Sequence, residues 1–166
     1  STLDAVRGFD HGTFVPLMLA FPEATIPVVQ MSLHASLDPA LHLEVGKALT
    51  PLRDRGVLIM GSGYSFHNMQ GFFNAKKYAQ PAAEFDAWLR SALTADPATR
   101  LDKLTHWTQA PSARTCHPRE EHLIPLMVAV GAAGDDAAHV VYEEKQSVFG
   151  NDEVLAVSAF RFGDAV

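Results

Sequence analysis

Two short apolar runs flank an amphipathic stretch in the first half of the chain. Residues 26–33 (IPVVQMSL) and 57–60 (VLIM) are short and contain β-branched side chains, which is typical of buried strands. Between them, Asp38 followed by Pro39 is a helix start signal, apolar positions recur at helical spacing, and Gly56 predicts the helix end. A strand, a helix and a strand in this order predict a βαβ unit with a parallel strand pair.

The second half of the chain passes from helical spacing to alternating apolar positions. The predicted elements are helices over 81–95, 97–107 and 121–131 and strands over 139–149 and 154–162. Pro125 suits the first turn of the third helix, and Gly150-Asn151-Asp152 predicts a turn between the two strands. The pattern as a whole predicts an α/β fold, with a mixed sheet and a βαβ unit flanked by helices.

Composition restricts the class of protein. The 166 residues are 48% hydrophobic and 19% charged, which is ordinary for a globular domain. A net charge of −6 with scattered Lys and Arg argues against a nucleic-acid partner, and no apolar run is long enough for a membrane span. The single cysteine, Cys116, excludes an intrachain disulfide and fits a reducing compartment, so we expect a cytoplasmic protein. Eight histidines allow a metal or proton-transfer site.

A glycine-rich loop with a histidine follows the second apolar run. It reads Gly61-Ser62-Gly63 and leads to His67. Ligand sites in open α/β sheets lie beyond the carboxyl ends of strands, and two glycines allow the backbone to approach a ligand closely. His67 is therefore a candidate metal ligand or acid–base group, the alternative being an exposed histidine on a turn.

A second cluster, His117-Pro118-Arg119-Glu120-Glu121-His122, precedes an apolar stretch. His122, with Glu120 or Glu121, offers the nitrogen and oxygen donors that ferrous iron or zinc accepts. A solvated helix start, where acidic side chains complement the helix dipole, explains one of the two glutamates as well. It does not explain why His122 adjoins apolar residues.

A third candidate lies near the start of the chain, at Asp10-His11-Gly12. Asp10 could accept a hydrogen bond from the His11 ring and so fix its tautomer, or it could cap a helix. Of the other histidines, His34 is a weaker candidate for lining the site. We expect structural roles for the following residues: His42, His106 and His139. Spacing gives no activation of Cys116, and Ser62 is not in a nucleophile-elbow pattern.

Five stretches carry motifs in a fixed order: GFDHGTFVPL (8–17), PVVQMSL (27–33), SLDPALHLEVGKAL (36–49), LRDRGVLIMGSGYSFHN (52–68) and HPREEHLIPLMVAVGAAG (117–134). Together these motifs resemble the LigB-like class III extradiol dioxygenases, and the branch they resemble most is the 4,5-DOPA dioxygenase type. The resemblance runs from about Gly8 to the end of the chain. It implies a LigB-like α/β fold.

The resemblance also implies a chemistry. Members hold a non-haem metal, ferrous iron or zinc, that binds the hydroxyls of a catechol and, as iron, dioxygen, and the ring opens beside the diol. The family's GSG…HN histidine, either ligand or acid–base group, corresponds to His67. The EHLIPL ligand corresponds to His122, while distant members use a glutamate, which leaves Glu121 open. The DHG motif lies near the substrate and corresponds to Asp10 and His11. Either His67 or His11 is expected to act as the acid–base imidazole that takes a proton from the catechol.

Family members carry a further segment before the DHG motif, including histidine ligands, and a facial metal site needs three protein ligands. We therefore expect residues 1–166 to be the C-terminal part of a single LigB-like catalytic domain. The N-terminal half is then a separate chain or a cleaved segment, and this chain alone is expected to be inactive. A homo-oligomer is a further option.

Two rival functions use the same residues. One is a non-enzymatic, Memo-like module that binds a metal or a protein on this scaffold, since a fold does not fix a function. The other is a metallohydrolase with a zinc-bound hydroxide. Oxygen uptake separates both from a dioxygenase, since only the dioxygenase consumes dioxygen with a catechol.

Overall fold

A computed structural model of the chain describes residues 3–147 and 154–164. These residues form helices and one small sheet, which confirms the predicted α/β class. The elements are α1 (His11–Ala20), α2 (Pro39–Arg53), α3 (Met69–Phe73), α4 (Ala75–Leu93), α5 (Pro97–Thr105), α6 (Ala113–Cys116), α7 (Ile124–Ala133), β1 (Ala138–Ser147) and β2 (Val154–Phe162). Within the described ranges, no helix is both long and apolar enough to cross a bilayer.

The start and end signals of α2 and the proline start signal of α7 act as predicted. The Asp38 side chain accepts a hydrogen bond from the Leu41 amide at 3.1 Å, which caps α2. Beyond the end of α2, Gly56 has a φ of +77°, a left-handed value that glycine adopts without strain. Pro125 lies in the first turn of α7, where its missing N–H costs no helical hydrogen bond.

Helices α2 and α7 pack backbone to backbone through two glycines. A Cβ atom at Gly46 would lie 2.1 Å from the carbonyl oxygen of Val128. A Cβ atom at Gly131 would lie 2.0 Å from the carbonyl oxygen of Leu43. Any larger residue would force the helices apart, so these positions fix the placement of α7 and of the segment that leads into it.

Helix α4 runs through the centre of the core and packs against β2. Its buried side chains include Phe85 and Leu89, which join Leu155 from β2 in one hydrophobic cluster. The sequence predicted a start at Pro81, but the helix begins at Ala75. Proline favours first turns, which misled the prediction; burial of the residues before it in the same cluster outweighs the hydrogen bond lost inside the helix.

The two C-terminal strands pair as predicted. Strand β1 is antiparallel to β2, with Ala138 opposite Phe162 and Ser147 opposite Val154. The ladder is irregular between Val140 and Tyr142. The predicted turn at Gly150-Asn151-Asp152 lies outside the described residues.

The predicted βαβ unit is not present among the described residues. Segments 26–33 and 57–60 flank α2 as expected, but neither is assigned to a strand, and the described sheet is the antiparallel β1–β2 pair. Both segments are open to solvent, with Val29 87% and Leu58 70% exposed. A strand exists only when its backbone pairs with a neighbour, and an apolar sequence pattern records a tendency to be buried without identifying that neighbour.

Candidate metal centre

Three donor side chains meet where the glycine-rich loop reaches the start of α7. Each of His67, Glu121 and His122 offers one ligand atom, and these atoms all lie within 4.8 Å of one another. The two imidazole rings stack, with 3.5 Å between their centroids and 29° between their planes. The structure thus brings His67 next to Glu121 and His122, which follow it by 54 and 55 positions in the sequence, as a shared site requires.

The Glu121 carboxylate has one oxygen that accepts no hydrogen bond from the described residues. Its Oε2 atom is buried and has no hydrogen-bond partner in the described part of the chain. The nearest cation is Arg119, whose Nε atom lies 3.6 Å from Oε2, which is an ion pair too long for a hydrogen bond. Two imidazoles and one unpartnered carboxylate oxygen fit the donor set of ferrous iron or zinc.

Main-chain hydrogen bonds hold the loop against residues 115–122, which we call the second segment. The Tyr64 amide donates to the His122 carbonyl at 3.0 Å, and the His67 amide donates to the Cys116 carbonyl at 3.0 Å. The backbone at His67 is therefore held in place by its own amide and by the amide of Tyr64, three residues before it. The position of the site depends on backbone pairing as well as on side-chain packing.

The glycines of the loop have a different role from the one predicted. A Cβ atom at Gly63 would lie 2.2 Å from the His122 carbonyl oxygen, and one at Gly61 would lie 2.5 Å from the Pro125 carbonyl oxygen. Both glycines therefore allow close approach to the start of α7, where the sequence had suggested close approach to a ligand. They bring His67 to His122.

Burial affects the protonation of the cluster. The pKa of His67 lies below its usual value, mainly because burial penalises the charged ring and secondarily because His122 is close. The carboxylate of Glu121 opposes this shift. A neutral imidazole has a free lone pair, which is the form that binds a metal or accepts a proton.

The Asp10-His11-Gly12 motif lies beside the glycine-rich loop, where the Ser62 hydroxyl donates to the Gly12 carbonyl. Helix α1 begins at His11, but the Asp10 side chain makes no capping bond. Asp10 does not pair with the His11 ring in the way we expected; its Oδ2 accepts from Gln30 Nε2 at 2.6 Å. His11 is exposed and lies outside the group of three donors.

Gln30 is a residue that the sequence analysis missed. Its Oε1 atom accepts hydrogen bonds from the Asp10 amide at 3.1 Å and from the Thr13 hydroxyl at 2.9 Å. Together with the bond that it donates to Asp10, these contacts tie the 26–33 segment to the start of α1. Its polar character inside an apolar run was a signal that could have identified it.

The remaining histidines divide as follows. His42 is buried; its Nδ1 donates to the Asp38 carbonyl at 2.6 Å and its Nε2 accepts from the His34 amide at 3.1 Å. His34 is exposed and contacts Ser36, and His106 is exposed and contacts Asp102. None of these three histidines joins the group of donors.

Two buried residues of the second segment, Cys116 and His117, lie outside the group of donors. Burial raises the pKa of the Cys116 thiol to about 12, so it is not a thiolate nucleophile at neutral pH. His117 has a fully buried ring, and its Nε2 lies 3.0 Å from the Ser65 carbonyl oxygen. In the sequence, His122 was singled out because it adjoins an apolar stretch, and no role was assigned to His117.

Comparison with known proteins adds an independent observation. Residues 2–162 match the family model described as the catalytic LigB subunit of aromatic ring-opening dioxygenase. The chain is 47% identical to a 4,5-DOPA dioxygenase extradiol of Beta vulgaris over 81% of this chain and 50% of the relative. It is 43% identical to a protein of the same name from Portulaca grandiflora, over 84% of this chain and 52% of the relative.

A solved structure supports the same relationship. The crystal structure of an uncharacterized protein from Escherichia coli K12 superposes with a TM-score of 0.74 and 28% identity. The superposition covers 92% of this chain and 63% of that one. The chain spans about half the length of the curated relatives that it matches.

Proposed function

We propose, from the premise that this chain belongs to the LigB family of aromatic ring-opening dioxygenases, that it carries part of a non-haem metal centre for extradiol cleavage of a catechol-type ring. The substrates in this proposal are a catechol such as DOPA and dioxygen. The observation that carries the proposal is the convergence of His67, Glu121 and His122 within 4.8 Å.

Ferrous iron or zinc would be held by His122 and His67, with Glu121 as the third donor. The Oε2 atom of Glu121 supports this, because it is buried without a hydrogen-bond donor and its ion pair with Arg119 at 3.6 Å is too long to supply one. When bound, iron would supply Lewis acidity toward the catechol hydroxyls and the redox capacity to activate dioxygen. The chain's own contribution is to fix the donors and to move protons.

The alternative role that we propose for His67 is proton transfer. Its lowered pKa keeps the ring neutral near pH 7, so it can accept a proton from a catechol hydroxyl. The stacked ring of His122 limits its rotation. His67 is thus held in one orientation beside Glu121 and His122.

Asp10 and His11 are proposed as substrate-contacting residues. Support comes from the hydrogen bond between Ser62 and Gly12, which joins their motif to the loop that carries His67. His11 is exposed, so its ring is free to meet a ligand that enters from this side. Asp10, bonded to Gln30, would fix the backbone of the motif.

In this proposal, an additional N-terminal half is needed to complete the catalytic domain. A groove of about 1090 Å³ lies between residues 56–65 and strand β2, and Leu123 and Leu126 are among its lining residues. Side chains beside it are exposed and apolar, including Leu58 at 70%. We assign the groove to an N-terminal half of the domain, as a separate chain or a cleaved segment, with residues 1–166 forming the C-terminal part.

The proposal is tested by oxygen uptake with DOPA. The purified chain, with its mass verified by mass spectrometry, is loaded with ferrous iron under anaerobic conditions. It is then assayed alone and together with the N-terminal half of the Beta vulgaris relative. We expect turnover only in the mixture, with a ring-opened product that absorbs visible light. A metal-binding module or a zinc hydrolase would leave dioxygen unconsumed in both samples. That result would contradict the proposal.

A further inference from the structure

His117 is a fully buried histidine that the proposed chemistry does not use. Its ring lies between Phe85, with 5.1 Å between ring centroids, and Trp107, with 6.0 Å. Its Nε2 is 3.0 Å from the Ser65 carbonyl oxygen. Its Nδ1 is buried without a hydrogen-bond partner in the described residues. An aliphatic or aromatic side chain would fill this apolar pocket without an unpaired nitrogen.

The contact with Ser65 fixes the tautomer of the ring. A carbonyl oxygen can only accept, so Nε2 must carry the hydrogen and donate it. Nδ1 then carries a buried lone pair that accepts no hydrogen bond from the described residues. Burial lowers the pKa of His117 to about 4, so the ring remains neutral in this tautomer at neutral pH.

The bond to Ser65 is one of three hydrogen bonds that the consecutive residues 115–117 make with the loop. Besides His117 to Ser65, the His67 amide donates to the Cys116 carbonyl at 3.0 Å. The third bond runs from the Asn68 side chain to the Thr115 carbonyl at 2.7 Å. We call these three hydrogen bonds the clasp. Only the His117 bond is made by a side chain of the second segment.

We propose that His117 is a positioning residue: its Nε2–H bond to the Ser65 carbonyl holds the loop in the clasp and thereby keeps the His67 ring stacked on His122. Ser65 lies two residues before His67, so a shift of its carbonyl would move the backbone that carries the imidazole. An effect of His117 on metal binding rests on the proposed metal centre. Its effect on the stacking of His67 and His122 is independent of any metal.

Two amide side chains separate the hydrogen bond from the volume of the ring. In His117→Gln, the amide nitrogen reaches about as far as Nε2 and can donate to Ser65. In His117→Asn, the nitrogen reaches only as far as Nδ1 and cannot. His117→Phe keeps the ring and removes the donor. His42→Phe is the matched control, because His42 is equally buried and bonded to backbone, outside the group of donors.

The readouts need no metal. The first is the nuclear Overhauser effect between the His67 and His122 rings, whose centroids lie 3.5 Å apart. The second is hydrogen exchange of the His67 amide, which bonds to Cys116. We expect His117→Gln and His42→Phe to retain both signals. His117→Asn and His117→Phe should lose the ring contact and exchange at least about tenfold faster at His67.

The proposal is overturned if His117→Phe keeps the ring contact and the slow exchange, or if His117→Gln loses them as completely as His117→Asn. If His117→Phe does not fold, as judged by circular dichroism, the Gln and Asn pair decides. Cobalt binding by the same variants is a separate arm, with affinity expected to fall about 10- to 100-fold in His117→Asn. Failure of the unsubstituted chain to bind cobalt would count against the metal centre and leave the clasp result intact.

Discussion

The amide of Tyr64 donates to the main-chain carbonyl of His122 at 3.0 Å, which places the glycine-rich loop directly on the segment that carries two of the three donors. Gly63 makes this contact possible, because a Cβ atom there would lie 2.2 Å from the same carbonyl oxygen. The metal centre is therefore built on a backbone-to-backbone contact. Its geometry is sensitive to substitutions that touch none of the donors.

Substitution of Gly63 by alanine should separate the loop from His122. The added methyl group cannot fit 2.2 Å from a carbonyl oxygen, so the backbone must shift, at a cost of about 1–3 kcal/mol of unfolding free energy. Cobalt affinity should fall together with stability. Urea unfolding and a cobalt titration measure the two effects. Gly8→Ala is the control, since nothing lies within 4 Å of a Cβ atom there; equal effects from both variants would contradict the prediction.

Substitution of His67 should abolish ring cleavage in the complemented enzyme. Loss of a ligand or of a proton-transfer group lowers kcat by at least about 100-fold. His106→Ala should leave kcat nearly intact, because His106 is exposed and contacts Asp102 on its own helix turn. Steady-state kinetics on both variants decide the matter. Equal losses would show that the histidines have been assigned wrongly.

Acidification should destabilise the chain as the pH falls from 6.5 toward 4. Burial lowers the pKa of His117 from 6.5 to about 4. Between these pH values, His117 is protonated in the unfolded chain but neutral in the folded chain. The stability that this group contributes is complete above pH 6.5 and is lost on the way to pH 4, a change on the order of 3 kcal/mol. The lowered pKa of His67 acts in the same direction.

Urea unfolding at pH 7.5 and pH 4.5 measures this effect. The variant His117→Gln has no proton to take up at this position, so its unfolding free energy should fall less between the two pH values. Identical pH dependence in the variant and the unsubstituted chain would show that another group is responsible.

Gln30→Ala should loosen the motif that we propose to contact the substrate. Gln30 holds Asp10 by hydrogen bonds of 2.6 Å and 3.1 Å, and both residues lie outside the group of donors. We expect a higher KM for DOPA, by about threefold to tenfold, and a nearly unchanged kcat, as for the loss of a substrate-binding contact. Gln80→Ala, which loses a bond to Glu84 on the surface, is the control. A fall in kcat without a change in KM would place Gln30 in a different role.

The sequence predicted those features that depend on local signals. The Asp38 cap, the Gly56 helix end and the antiparallel pairing of the two C-terminal strands follow from short-range chemistry, and all three are present. His67 and His122 were each singled out in the sequence, and the structure stacks their rings. The βαβ unit from which the position of His67 was predicted is not present among the described residues.

What the sequence could not predict depends on partners distant in the chain. Strand pairing at 57–60 depends on a neighbour that the local pattern does not name. Gln30 binds Asp10 across 20 positions, and His117 binds Ser65 across 52, and neither spacing leaves a periodic signal. Asp10 accordingly binds Gln30 in place of the adjacent His11.

The central claim, that His67, Glu121 and His122 form one metal site, is tested most directly by a cobalt titration followed by absorption. The unsubstituted chain should bind one ion with a visible band typical of imidazole ligation, and more tightly when the N-terminal half is added. His122→Ala and Glu121→Gln should weaken binding by at least about tenfold, and His106→Ala should not. Unchanged affinity in His122→Ala would contradict the account.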